Sequence, residues 1–330
     1  MRRFSAGVLE SRMRSALARR GLSDEHAGWV AGGLLEASLR GVDTHGVRLF
    51  PTYLNELDGG RSRARPEMRW LGEARAARVL DAGHALGLVA GRTACAEAVR
   101  LAKESGVGAV AVRNSNHFGA ASVYTLEMAR HGALGMSFTN SDALVAPFHG
   151  LTPLFGTNPI SLAVEAEGGD LFCADFATSQ VSYSKVKHYR AQGLPVDPAW
   201  TVGDALLPLG AGSGHKGHCL GMMVEILCAL LAGMPLDHEL SHLYAPPYDE
   251  PRRVAHLFLA FDLGAFREPG EFRADLGRLM GIVREQPAAG DEAVKVPGDP
   301  EAEAMAERFR EGIPLTDEEA AFFDQLEGAA

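Results

Sequence analysis

Residues 207–233 read LPLGAGSGHKGHCLGMMVEILCALLAG, and the meaning of this stretch decides the fold. Gly212-Ser213-Gly214-His215-Lys216-Gly217 is formally a GxGxxG that opens a helix, where backbone N–H groups and the helix dipole can hold a phosphate. Its setting is wrong for a Rossmann fingerprint. Pro208 interrupts the apolar run before it, the motif lies late in the chain, and no following βα unit brings an acidic residue to a ribose. A Walker loop fails as well, because His215 separates Gly214 from Lys216. The stretch therefore predicts a turn of another kind, followed by a helix over Gly217 to Leu231. That helix is apolar nearly all round, as a fully buried helix should be.

Upstream, residues 77–165 alternate between strand and helix patterns. Strands are expected at Ala77 to Asp81, Val107 to Val112, Leu134 to Asn140 and Pro159 to Glu165, with helices at Leu86 to Glu104 and Ala121 to His131. A further strand over Ala255 to Phe261 and a helix over Gly270 to Arg284 follow the opening stretch. This alternation predicts an α/β layer with helices against a mainly buried sheet. Residues 1 to about 60 read as helices, with Phe4, Val8, Met13 and Leu17 at near-helical spacing and a stop at Gly41. The Arg-rich start superficially resembles a transit peptide, but Glu10 intrudes and Ser23-Asp24-Glu25 caps a second helix, which favours an ordinary first helix. Polar helices close the chain, so both termini are expected to form one mainly helical domain, 1–75 with 265–330, beside an α/β domain over 76–264.

The 330 residues are 46% hydrophobic, and Lys plus Arg (32) against Asp plus Glu (42) leave −10 with no basic stripe. Nucleic acid is thereby excluded as a partner, since it needs clustered cations. The longest apolar runs, such as Ile226 to Met234, fall far short of the roughly 20 residues of a membrane span. Cys95, Cys173, Cys219 and Cys228 show no CxxC spacing and suit buried thiols of a reducing, cytoplasmic setting.

Three polar clusters can carry chemistry. In GVDTHGVRLFPTYL (41–54), Asp43-Thr44-His45 sits between two helical patterns, and Arg48 follows His45 by three residues, on one helical face if the helix continues. A histidine can deliver a proton near neutral pH, and an arginine can clamp a carboxylate with two hydrogen bonds. A helix cap with an unrelated surface arginine fits the same spacing. Asn114-Ser115-Asn116-His117-Phe118-Gly119 follows a buried strand, where ligands gather in α/β folds, although a solvated loop reads the same way. Asp175, in CADFATSQ, could fix an imidazole tautomer and raise its pKa, or could simply cap the next helix.

Taken together, these segments resemble the type-2 malate/L-lactate dehydrogenase family. The resemblance runs in family order through GVDTHGVRLFPTYL, VRNSNHFGAASVYT, APFHGLTPLFGTNPISLA, DFATSQVS, the 207–233 stretch, FLAFDLGAF and VKVPGDPE. It implies a non-Rossmann α/β fold with a mixed sheet, a homodimer with sites between domains, and NADH or NADPH as hydride donor. By the same resemblance, His45 is the proton donor paired with Asp175, and His117 is a further acid or base. Arg48, with Thr44 beside it, would hold a substrate carboxylate. The cofactor would lie against Asp175, Ala177, Thr178, Ser179, His215, Lys216, Pro297, Gly298 and Asp299.

The chain also departs from the family pattern. The stretch from Ser179 to Leu206 is short, a serine is common where Thr44 stands, and a lysine that some relatives use near Ser141 is missing. His215 replaces the usual aromatic before the turn lysine, and Met234 to Arg253 is compact. These departures imply a reshaped pocket. The expected activity is reduction of a C=O or C=N group beside a carboxylate, in a 2-oxo acid or cyclic imine. The alternatives are a larger biosynthetic or peptide imine as substrate, a non-catalytic dimeric binding or scaffold protein, and a lyase with a metal on His45, His117 and Asp175.

Overall fold

A computed structural model describes residues 1–72 and 74–327. The strands are β1 (Arg2–Phe4), β2 (Arg69–Leu71), β3 (Ala77–Asp81), β4 (Val107–Ser115), β5 (Ala133–Thr139), β6 (Ile160–Glu165), β7 (Leu171–Phe176), β8 (Thr201–Val202), β9 (Ala205–Leu206), β10 (Val254–Asp262) and β11 (Ile313–Leu315). The helices are α1 (Ala6–Arg19), α2 (Asp24–Leu39), α3 (Phe50–Gly59), α4 (Gly87–Ser105), α5 (Ser122–Arg130), α6 (Tyr183–Ala191), α7 (His215–Glu225), α8 (Pro269–Arg284), α9 (Asp299–Glu311) and α10 (Asp317–Glu327).

Seven strands make the central sheet, in the order β2-β3-β4-β10-β5-β6-β7. Only β3 and β4 run parallel, joined by the crossover helix α4, and the other pairs are antiparallel, so the sheet is mixed. Alternation along β4 and β10 divides the core between two faces. Val110, Val112, Phe258 and Ala260 pack with α4, whereas Ala111, Ala255 and Leu257 pack with Val224 and Cys228 on the α7 side. Gly108 lets α4 approach closely, because a Cβ there would lie 2.0 Å from the Ala98 carbonyl oxygen.

Both termini build one helical layer. β1 pairs with β11, and Leu9, Met13, Leu17, Ile313 and Phe323 share a core. The buried stripe of α1 is Leu9, Met13, Ala16 and Leu17, with Val8 exposed, one residue out of the expected register. β2 joins the sheet through β3, and α8 packs by Leu276 and Met280 against Ala166 and Phe172, so elements on both sides of the expected boundaries contribute to the α/β layer.

The fully buried helix expected over Gly217 to Leu231 is a correction. α7 starts at His215 and continues as a π-helical turn over Ile226–Leu230. One side covers the sheet, while Met222, Met223, Ile226, Leu230 and Leu231 face outward and are 42–60% exposed. An all-round apolar pattern does not say which side of a helix the same chain covers.

Candidate active site

The segment GVDTHGV does not continue as one helix. Gly46 lies so close to α2 that a Cβ would meet Ser38 Oγ at 2.0 Å, and Ser38 Oγ accepts the Val47 N–H at 2.9 Å. The chain therefore makes two 3-10 turns, Asp43–His45 and Val47–Leu49, with the first anchored by Arg308 on the Asp43 carboxylate at 2.9 Å. This corrects the expected single helical face for His45 and Arg48. His45 turns into a cleft. Arg48 stays half-exposed, with Nε on Glu319 Oε1 at 2.7 Å, and its Nη atoms make no hydrogen bond among the described residues.

His45 Nδ1 lies 2.9 Å from Thr44 Oγ1, and its ring stacks on His117 with centroids 5.8 Å apart and planes at 21°. Burial lowers the His45 pKa to about 4, so the free imidazole is neutral at pH 7. His117 follows β4, and its Nδ1 accepts the Gly119 N–H at 3.4 Å and meets the Tyr53 hydroxyl at 2.8 Å. A backbone N–H can only donate, which leaves the His117 ring proton on Nε2. Burial, with His45, Arg252 and His256 nearby, holds His117 well below the usual histidine pKa.

Asp175, at the end of β7, accepts the Ser122 N–H at 2.8 Å where α5 begins. It faces the cleft and makes no hydrogen bond to His45, which is a second correction. The carboxyl pKa is raised by burial, with the Ser122 contacts opposing that shift. The imidazole therefore lacks the raised pKa expected from a carboxylate partner.

Two cavities meet at His45. The first, about 690 Å³ with its open mouth, is bordered by His45, His117, Leu144, Tyr183, His242 and Tyr244 among others. The second, about 770 Å³ with its open mouth, is bordered by Arg40, Gly119, Asp175, Phe176 and Glu301. Thr44, His45, Thr157 and Ala177 line both. The divider at Thr157 is rigidly set, since a Cβ on Gly156 would lie 2.3 Å from Ser141 Oγ, and that oxygen accepts the Thr157 N–H at 3.1 Å.

Thus Thr44, His45, His117, Asp175 and Ala177 are brought together, and other sequence candidates are not. Thr178 and Ser179 are buried, with their hydroxyls on the carbonyls of Thr157 and Val181 at 3.1 and 2.9 Å. His215 and Lys216 start α7 beside a third cavity bordered by Phe148 and Gly214. In that turn, Gly210 and Ala211 already donate their N–H groups to Gln180 Oε1 at 2.8 and 3.0 Å. Pro297 accepts the Cys173 N–H at 3.0 Å, and Gly298 (φ 109°) lies against Leu171. Asp299 is held by Arg284 at 3.0 and 2.6 Å. Among the described residues, no group of three or more metal-ligating side chains converges, so the metal-dependent arrangement of His45, His117 and Asp175 has no cluster to rest on.

Sequence reading missed Arg40, Tyr53, Tyr183 and Tyr244. Arg40 had a signal: a guanidinium at the end of a largely apolar helix, immediately before Gly41. The residue is only 6% exposed, its guanidinium makes no hydrogen bond among the described residues, and it borders the second cavity. A guanidinium that borders a cavity with no hydrogen bond of its own can meet an anionic ligand there.

Residues 4–323 match a family model described as malate/L-lactate dehydrogenase. A malate dehydrogenase of Pyrococcus abyssi is 32% identical over 319 residues, with 91% of this chain and 87% of that protein covered. A ureidoglycolate dehydrogenase (NAD(+)) of Escherichia coli is 29% identical, with 96% and 93% covered. Among solved structures, malate dehydrogenase from Pyrococcus horikoshii superposes with a TM-score of 0.91 at 30% identity, covering 99% of this chain and 95% of the other. The delta1-piperideine-2-carboxylate reductase from Pseudomonas syringae gives 0.85 at 26% identity, covering 99% and 100%.

Proposed function

This chain belongs to the malate/L-lactate dehydrogenase family and is an oxidoreductase of that type, and from that premise we propose that it reduces a C=O or C=N group adjacent to a carboxylate, with NADH or NADPH. The observation that carries the reading is the stacked pair of neutral imidazoles, His45 and His117, at the junction of two cavities. One cavity can take the substrate and the other a flat heterocycle with its anionic tail.

The lining of the second cavity supports assigning the nucleotide to that side. Phe176, 40% exposed, offers a ring face beside Ala177, and Arg40 offers a buried cation without a hydrogen-bond partner. A bound nicotinamide nucleotide supplies the hydride in reduction and accepts it in oxidation. His45 supplies the proton to the heteroatom on which charge develops, and His117 Nε2–H can donate a hydrogen bond to that atom. In the free protein His45 is neutral, ready to act as a base for oxidation. A substrate carboxylate entering beside it favours the imidazolium, which is the state that reduction needs. The Nη atoms of Arg48 are the proposed clamp for that carboxylate, with Thr44 orienting the His45 ring.

The exposed stripe Met222, Met223, Ile226, Leu230 and Leu231 suits burial against a second copy, so a homodimer is expected. Light scattering after gel filtration should give twice the 35.2 kDa chain mass.

Fluorescence titration with NADH and with NADPH tests the reading, followed by cofactor oxidation with 2-oxo acids and cyclic imino acids. Saturable binding of one nucleotide with substrate-dependent oxidation is the expected result. If neither nucleotide binds at millimolar concentration, the reductase reading is wrong.

A further inference from the structure

The first cavity carries information about the substrate's other end. Its far wall is aromatic: the Tyr183 and His242 rings meet edge to face with centroids 6.2 Å apart, and His242 and Tyr244 lie 5.9 Å apart. Leu144 and Leu243 complete that wall with aliphatic surface. No lysine or arginine lines the cavity among the described residues.

The charged groups nearby are already committed. Asp142 borders the cavity, but its carboxylate is paired with Arg252, which is 2% exposed. His242 Nδ1 accepts the Tyr244 N–H at 3.2 Å, so its ring proton is on Nε2, which lies 3.8 Å from Asp142 Oδ2. Lys187 sits over the Tyr244 ring, 5.6 Å from its centroid, and does not border the cavity. Arg48, three residues after His45 and outside the lining itself, is the cation that the proposed function assigns to the substrate carboxylate, and it serves one carboxylate.

We propose that the substrate is a monocarboxylate whose side chain is aromatic or a bulky aliphatic group, seated against Tyr183, His242, Tyr244, Leu144 and Leu243. The proposal rests on the reductase reading above. A second carboxylate, as in a four-carbon dicarboxylic 2-oxo acid, would be desolvated against apolar walls and the Asp142 carboxylate without a cation to meet it. An aromatic ring there gains burial and edge-to-face contacts.

Two measurements on the full-length protein test this independently of each other. The first compares reductive kcat/KM for phenylpyruvate and 4-methyl-2-oxopentanoate with that for oxaloacetate. A preference of at least about tenfold for the apolar acids is expected. The second uses calorimetry with unreactive analogues, 3-phenylpropionate against succinate, in the presence of the preferred nucleotide. Tighter binding of 3-phenylpropionate supports the apolar character of the substrate pocket independently of turnover, while loss of nucleotide binding would strike the reductase reading instead. Oxaloacetate or succinate preferred in either measurement overturns the substrate assignment while leaving the reductase reading intact. Leu144→Arg places a cation on the wall and should move the ratio at least about tenfold towards the dicarboxylates; an unchanged ratio in a folded variant also counts against the assignment.

Discussion

The two cavities that meet at His45 differ in kind. One is walled by Tyr183, His242, Tyr244 and leucines, with no lysine or arginine in its lining among the described residues. The other holds Arg40, Asp175 and Glu301, with a buried cation that has no hydrogen-bond partner. The contrast shows how one imidazole can serve two ligands of different chemistry: apolar area selects on one side, fixed charge on the other, and the reacting group sits on the boundary. It also separates the variants that should stop chemistry from those that should weaken only one ligand.

The largest effect is expected at the boundary itself. His45→Ala should lower kcat by roughly 10²- to 10⁴-fold, the usual worth of a general acid or base, while nucleotide still binds. The same residue sets opposite pH slopes. Oxidation needs neutral His45, so its kcat/KM should rise with pH through about 4 and then level. Reduction needs the protonated form, so its kcat/KM should fall as pH rises above that value. Full turnover in His45→Ala, or parallel slopes in the two directions, would remove His45 from the proton-transfer step.

A smaller and one-sided effect is expected at Arg40. Arg40→Met keeps most of the aliphatic bulk and removes the cation, so nucleotide binding should weaken by ~10- to 100-fold, the worth of a charge-assisted hydrogen bond. Binding of a monocarboxylate to the aromatic cavity should stay at the wild-type value. If both ligands weakened equally, the division of labour between the cavities would be wrong.

Much of the scaffold was legible because it follows local pattern. The apolar run beginning at Val107 became β4, Ala77–Asp81 became β3, and the helix read over Leu86 to Glu104 became α4 within a residue at each end. α6 and β2 were not legible. YSKVKHYRA buries only Val186 and so has no apolar stripe, and Arg69–Leu71 is too short to alternate. The site was legible in its histidines and Asp175 but not in its pairings. The turn that separates His45 from Arg48 depends on the contact of Gly46 with Ser38 of α2, and Asp175 spends its carboxylate on a backbone N–H of α5. Both are tertiary contacts with no counterpart in residue spacing. Tyr183 lay in a stretch whose shortness implied a reshaped pocket, and there α6 supplies part of the aromatic wall.

The smallest expected effect lies under the divider. Thr157 touches both cavities, and its neighbours are held from below: Gly156 N–H and Asn158 Nδ2 both donate to Asp237 Oδ2 at 2.7 Å. The Asp237 N–H in turn donates to Glu225 Oε1 at 2.9 Å. Glu225 Oε2 and Asp237 Oδ1 are buried without a donor, a conflict that one proton held between the two acids resolves. Burial and the adjacent Asp237 push the Glu225 pKa up to about 9. Glu225→Gln copies the protonated form and should change stability by less than ~1 kcal/mol at acidic pH, below the ordinary carboxyl pKa, whereas Glu225→Ala should cost ~1–3 kcal/mol there by stranding buried polar groups. The raised pKa also fixes the sign with pH. Stability from the proton is fully present below the ordinary carboxyl pKa and is lost as pH rises through about 9, so thermal melts should show the wild type losing ground to Glu225→Gln between about pH 5 and 9. Because Thr157 belongs to both cavities, Glu225→Ala should weaken nucleotide and carboxylate together, unlike Arg40→Met. A Glu225→Gln variant as unstable as Glu225→Ala would mean that the pair is ionised and that the divider is held by charge.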